Sequence, residues 1–146
     1  MEMITAGLGD ILGKYTCLLD WKMAHIITGE YYCSHIADMV KEAVEIVVEE
    51  STRIKDRNPD AVKAVTEALV LSGIAMSFVG NSRPASGSEH HLSHYWEMKF
   101  QAEGKKPILH GIKVGIGMIA VTKMYETLEN EQFDFASLKE RSFDYA

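Results

Sequence analysis

An all-helical bundle is the fold class this sequence predicts. Three observations lead there: apolar residues recur every three or four positions nearly throughout, no run alternates as a confident strand would, and proline, glycine and small polar residues fall where helices should start and stop. The first predicted helix runs from Asp10 to about Thr28, with Ile11, Leu12, Tyr15, Leu18, Leu19, Met23 and Ile26 in its stripe. Asp10 is placed to cap it and Gly29 to end it. The second runs from about Tyr31 to Ile54 on Ile36, Met39, Val40, Ala43, Val44, Val47 and Val48. After a polar turn, Pro59 opens a third helix that carries Val62, Val65, Ala68, Leu69, Leu71 and Ile74 towards Phe78. Val79 to Ser88 reads as an ordered loop of glycine, serine, asparagine and proline. A fourth helix starts near Ser86 or Ser88 and reaches about Phe100. Pro107 opens a fifth through about Leu128, with Gly111 and Gly115 on one face where another helix or a ligand can approach closely. The acidic, aromatic tail from Glu129 carries at most one short helix, around Phe135 to Arg141.

The 146 residues fit one domain with a substantial apolar core. A formal net charge of −6, with no basic run longer than Lys105-Lys106, argues against a nucleic-acid partner. Cys17 and Cys33 lie in apolar helical surroundings without a third sulfur, so reduced, buried thiols are expected, which favours the cytoplasm. No signal peptide is recognisable. The apolar stretches read as too short for a membrane span, so no membrane partner is expected. Gly7-Leu8-Gly9 lacks the preceding strand and third glycine of a dinucleotide fingerprint.

The chemistry is concentrated elsewhere. His90 and His94 stand one turn apart, so both rings can point to one side of a helix, while His91 lies about 100° round it. The serine- and glycine-rich turn before them offers backbone N–H groups and hydroxyls to an anion, with Arg83 alongside for a phosphate or carboxylate. Asp10, Lys14, Cys17 and Trp21 share one helix face. An acid and two histidines from separate elements, drawn from Asp10, His90, His94 and His110, can hold a divalent ion and leave a position open for substrate. The helical zinc-protease motif and the paired motifs of di-iron bundles are both absent.

A-G-L-G-D at 6–10, G-N-S-R-P-A-S-G-S-E-H-H-L-S-H at 80–94 and L-H-G-I-K-V-G-I-G at 109–117 together resemble the sn-glycerol-1-phosphate dehydrogenases, closest to the bacterial AraM type. These sit in the wider superfamily of metal-dependent alcohol dehydrogenases with glycerol dehydrogenase and dehydroquinate synthase. The likeness covers almost the whole chain. It implies the helical C-terminal domain of the dehydroquinate synthase-like fold, with Asp10, His90 and His110 as ligands to zinc, nickel or iron. It makes His94 a non-ligand close to substrate that relays a proton. Lys14, Arg83, Ser86 and Ser88 are then candidates for holding a phosphorylated polyol or ketone. The implied reaction is reversible NAD(P)-dependent reduction of dihydroxyacetone phosphate, in which the metal lowers the alcohol pKa and the alkoxide gives hydride to nicotinamide.

In that family a Rossmann-like domain precedes the helical one and holds NAD. The 146 residues are therefore expected to be the helical metal- and substrate-binding domain alone, residues 1–146, with the NAD-binding domain absent from this chain, and to be inactive by themselves. A competing reading is a non-catalytic helical module for interaction or dimerisation that keeps a metal site, a second copy of the chain being a candidate partner. A third is metal-assisted hydrolysis, for which Glu97 is the only candidate base.

Overall fold

The computed structural model describes residues 2–130, so the short helix expected around Phe135 to Arg141 lies outside the described residues. Those residues form an all-α bundle with no strand among them. Its helices are α1 (Glu2–Leu12), α2 (Lys14–Thr28), α3 (Ser34–Ile54), α4 (Pro59–Val79), α5 (Ser88–Ala102) and α6 (His110–Asn130). The chief packings are α1 on α6, α3 on α4 and α5 on α6.

The N-terminal region departs from expectation. Asp10 does not cap a helix; it lies inside α1, which starts eight residues earlier. The break falls at Gly13, and it is slight. Gly13 N–H donates to Gly9 C=O at 3.3 Å and Cys17 N–H to Gly13 C=O at 3.1 Å, so the hydrogen-bond ladder runs on into α2. The shared face read from the sequence survives the break: Lys14, Cys17 and Trp21 are all buried, and Asp10 is half-buried beside them. Gly29, with φ +73°, closes α2 as expected.

Two helices start later than predicted. Trp21 Nε1 donates to Tyr31 C=O at 2.7 Å and its ring packs on Tyr32, which holds that strap extended until α3 begins at Ser34. Helix α6 begins at His110 and not at Pro107. Its first turn forms on Leu109 C=O, which accepts from the N–H groups of Ile112 and Lys113. Asn58, whose side chain accepts from the N–H groups of Asp60 and Ala61, caps α4 where Pro59 was expected to open it.

A cluster of Ile11, Val44, Val47, Ile54, Ala61, Ala64, Val65 and Ala68 joins α1, α3 and α4. The face of α4 that turns inward is the small one. Ala61, Ala64, Ala68, Ser72 and Ala75 are buried, whereas Ile74, predicted to face inward, is exposed, as are Val70 and Phe78. Alanines let α3 and α4 approach closely, so Val65 is buried among them while Val70, Ile74 and Phe78 are left outside. The same helix corrects the membrane expectation: α4 is long and apolar enough to cross a membrane by length and composition, although its alanine face is committed to the bundle.

Cys17 is buried and Cys33 only half-buried, so the expectation of two buried thiols holds for the first alone. Burial drives the Cys17 thiol far above its usual range, against the opposing pull of Lys14. The native chain treated with iodoacetamide at pH 8 is expected to be alkylated at Cys33 first, Cys17 reacting only after unfolding. Peptide mass mapping showing equal rates at both would refute the buried, protonated state of Cys17.

Candidate metal centre

Three elements converge on one point. Asp10 comes from the last turn of α1, His90 from the first turn of α5 and His110 from the first residue of α6. One ligand atom from each lies within 4.8 Å of the other two. A tetrahedral ion with bonds of about 2.1 Å holds its ligands roughly 3.4 Å apart, so the trio would have to draw in by at most about 1.4 Å to share one. Both histidines stand at helix N-termini, whose positive ends suit the Asp10 carboxylate between them.

Each ring is tied at one nitrogen. His90 Nδ1 is 2.8 Å from Glu89 Oε1, and His110 Nδ1 is 2.9 Å from Glu97 Oε1. Ionised carboxylates only accept, so each pair places the proton on Nδ1 and leaves the lone pair on Nε2. His110 Nε2 lies 3.9 Å from Asp10 Oδ2. The other Asp10 oxygen, Oδ1, accepts from Lys14 Nζ at 2.5 Å, and the same ammonium donates to Ala85 C=O at 2.8 Å. The donor set is one carboxylate oxygen and two imidazole nitrogens backed by carboxylates, the chemistry that a borderline divalent ion takes.

His94 is exposed on the outer side, its ring 5.4 Å from that of His110 and 6.3 Å from that of His90. Its Nδ1 lies 3.2 Å from Glu97 Oε2. Glu97 therefore serves His110, His94 and Lys113, whose buried ammonium donates to Glu97 Oε1 at 2.9 Å and to Ile108 C=O at 2.8 Å. The hydrogen bond to His110, then those to Lys113 and His94, hold the Glu97 carboxyl down to about 2, so it is charged at neutral pH. His94, Glu97 and His110 also form a second, more exposed trio with the spacing of a metal site. His91 is exposed, away from the cluster.

The loop residues expected to hold an anion have protein partners. Arg83 makes a two-pronged contact with Glu30, Nε to Oε1 at 2.7 Å and Nη2 to Oε2 at 2.5 Å. Ser88 donates through both N–H and Oγ to Asp20 Oδ2, which ties the start of α5 to α2, and Tyr125 donates to the other oxygen of Asp20. Ser86 is half-buried, its N–H donating to Ser82 C=O.

Sequence reasoning missed Glu89, Lys113 and Asp20. Glu89 and Lys113 were findable only by proximity, one residue before His90 and three after His110. Nothing local marks Asp20, whose partners are 68 and 105 residues away. Glu97 was singled out, but as a general base; its hydrogen bonds make it the partner of two histidines.

An all-α bundle that gathers an aspartate and two histidines at the ends of three helices defines a helical protein with a candidate mononuclear metal centre. Comparison by sequence narrows this class. The chain is 44% identical over 125 residues to a glycerol-1-phosphate dehydrogenase (NAD(P)+) of Halalkalibacterium halodurans, covering 86% of the chain and 31% of that protein. It is 42% identical over 124 residues to the protein of that name from Staphylothermus marinus, covering 85% of the chain and 34% of the relative. With the Bacillus subtilis protein of the same name it shares 38% over 130 residues, 89% of the chain and 33% of the relative. The resemblance read from the three motifs thus holds for relatives from all three organisms, and the chain spans about a third of the length of the curated relatives it matches. No family model matches the chain.

Proposed function

We propose that this chain is the metal- and substrate-holding helical part of an NAD(P)-dependent sn-glycerol-1-phosphate dehydrogenase. The observation that carries this reading is the convergence of Asp10, His90 and His110, with both rings backed by carboxylates, in a chain whose relatives bear that name. Asp10 and the Nε2 side of His90 and His110 would hold the ion, zinc, nickel or iron. When bound, the ion supplies Lewis acidity that lowers the pKa of the reacting hydroxyl.

The surrounding residues orient and move protons. His94, its Nδ1 against Glu97 and its ring open to solvent, carries a proton between the reacting oxygen and water. Glu97 keeps both His94 and His110 in position, and Lys113 holds Glu97. Lys14 screens Asp10 on the side away from His110. Asp10, Glu89 and Glu97 against Lys14 and Lys113 leave the pocket about one charge negative, so a dication makes it net positive and suited to a phosphorylated substrate. A phosphate at the Gly80–Ser88 loop has to compete with Glu30 for Arg83 and with Asp20 for Ser88. Lys14, Arg83, Ser86 and Ser88 remain the residues proposed to hold it on those terms. Hydride transfer further requires a nicotinamide held in near-attack geometry, which we assign to sequence of the relatives that this chain does not match.

The test is a titration of sn-glycerol 1-phosphate and its 3-phosphate enantiomer into the zinc-loaded chain, followed by nuclear magnetic resonance at His94 and His110. Weak saturable binding that vanishes on chelation is expected. A folded, zinc-loaded chain indifferent to both would defeat the substrate assignment and leave the helical interaction module, which the exposed Val70, Ile74 and Phe78 of α4 independently favour.

A further inference from the structure

We propose that Glu89 is a positioning residue that sets the tautomer of His90, so that the His90 Nε2 lone pair faces Asp10 and His110 before any metal arrives. The proposal rests on the metal-centre reading above. Glu89 is 0% exposed, the only carboxylate among the fully buried residues described. Its Oε1 accepts from Gly87 N–H and from His90 Nδ1, both at 2.8 Å, and its Oε2 accepts from Thr16 Oγ1 at 2.6 Å. A buried charge is tolerated only when its lone pairs are met, and these three donors from α2, the Gly87 cap and α5 meet them.

The consequence for His90 follows from valence. A carboxylate that accepts from Nδ1 requires the proton there, and a neutral imidazole has only one. Nε2 therefore keeps its lone pair. The Glu89 backbone is itself pinned, because a Cβ on Gly117 of α6 would lie 2.6 Å from Glu89 C=O; the two helices touch at that point. Glu89 also satisfies the first-turn N–H at Gly87, as an ordinary helix cap would. A cap alone, however, has no bearing on which nitrogen of His90 carries the proton. Glutamine separates the two roles. Its amide oxygen still accepts from Gly87 and His90, and its amide nitrogen can donate to Thr16 Oγ1, which turns its own proton to Gly13 C=O at 2.9 Å. The hydrogen bonds survive and the negative charge goes.

The experiment uses the 146-residue chain, labelled with nitrogen-15 at histidine and free of metal, with His90→Asn to assign the ring. Wild type is expected to show His90 as the Nδ1–H tautomer. Glu89→Gln keeps that tautomer with an upfield-shifted Nδ1–H proton, and Glu89→Ala gives a mixture. Zinc dissociation constants, measured by competition with a chelator on variants shown to be folded by circular dichroism, are expected to rise about tenfold for Glu89→Gln and between about 10- and 100-fold for Glu89→Ala. An Nε2–H tautomer in wild type overturns the proposal. So does an Nδ1–H resonance unmoved in Glu89→Gln, which decides the matter even if Glu89→Ala fails to fold. Failure of the wild-type chain to hold zinc, with the tautomer as expected and shifted in the variants, would count against the metal centre and leave the positioning role of Glu89 standing.

Discussion

Replacing either His90 or His110 with alanine is expected to abolish stoichiometric zinc binding, while His91→Ala leaves it within about twofold of wild type. The expected loss for a ligand exceeds the 10–100-fold that removal of an outer-shell partner costs, because one of only three protein bonds disappears. Asp10→Asn should lose nearly as much, since the neutral amide no longer compensates the ion's charge. His91 serves as the control for helix and composition: it neighbours His90 in sequence but is exposed. Metal content after dialysis against buffered zinc measures all four proteins at once. Equal loss from His90→Ala, His91→Ala and His110→Ala would show that the first of these acts through folding, and the site assignment would fail. Retention of one zinc per chain in Asp10→Asn and His90→Ala, with loss in His94→Ala, Glu97→Ala and His110→Ala, would move the ion to the second trio of His94, Glu97 and His110.

Helix content and the one-turn spacing of His90 and His94 were legible in the sequence for a simple reason. A period near 3.6 and a four-residue spacing are local properties, and local properties are what a single chain displays. The end of α2 at Gly29 and the position of α4 were read correctly because glycine and proline impose local backbone geometry. What failed was set by distant atoms. The late start of α3 depends on Trp21 reaching Tyr31 C=O, and the inward face of α4 depends on how closely α3 lies against it. Lys14, which composition alone would leave in water, is buried because Asp10 and Ala85 C=O, one nearby and one 71 residues away, together satisfy its ammonium. Arg83 looked available for an anion because Glu30 is 53 residues distant. In the candidate site the residues proposed as ligands could be named from spacing and resemblance, but the carboxylates that their rings meet could not. Glu89 and Glu97 differ from the many other glutamates of this chain only in where the fold puts them.

The glycines of α6 give the largest expected effect on stability. A Cβ on Gly111 would lie 1.9 Å from Ala6 C=O, and one on Gly9 would lie 2.3 Å from Gly111 C=O. Both obstacles are helix backbone, which cannot rotate aside as a side chain can, so α1 and α6 must move apart to admit a methyl group. Alanine gains about 1 kcal/mol over glycine from helix propensity. Overpacking normally costs about 1–3 kcal/mol and rises when nothing flexible yields. Gly111→Ala is therefore expected to lower unfolding free energy by roughly 3 kcal/mol or more, read from urea denaturation with an unchanged slope. The same shift reaches the site, because Ala6 is one turn from Asp10 on α1 and Gly111 adjoins His110 on α6. Zinc affinity should fall with stability in that variant even though no ligand is altered. Gly73→Ala is the matched control: it lies inside α4, where an added Cβ meets nothing within 4 Å, and should stabilise by up to about 1 kcal/mol. A Gly111→Ala protein as stable as wild type, with its zinc affinity intact, would mean that α1 and α6 do not cross backbone to backbone, and the approach of Asp10 to His110 would need another support.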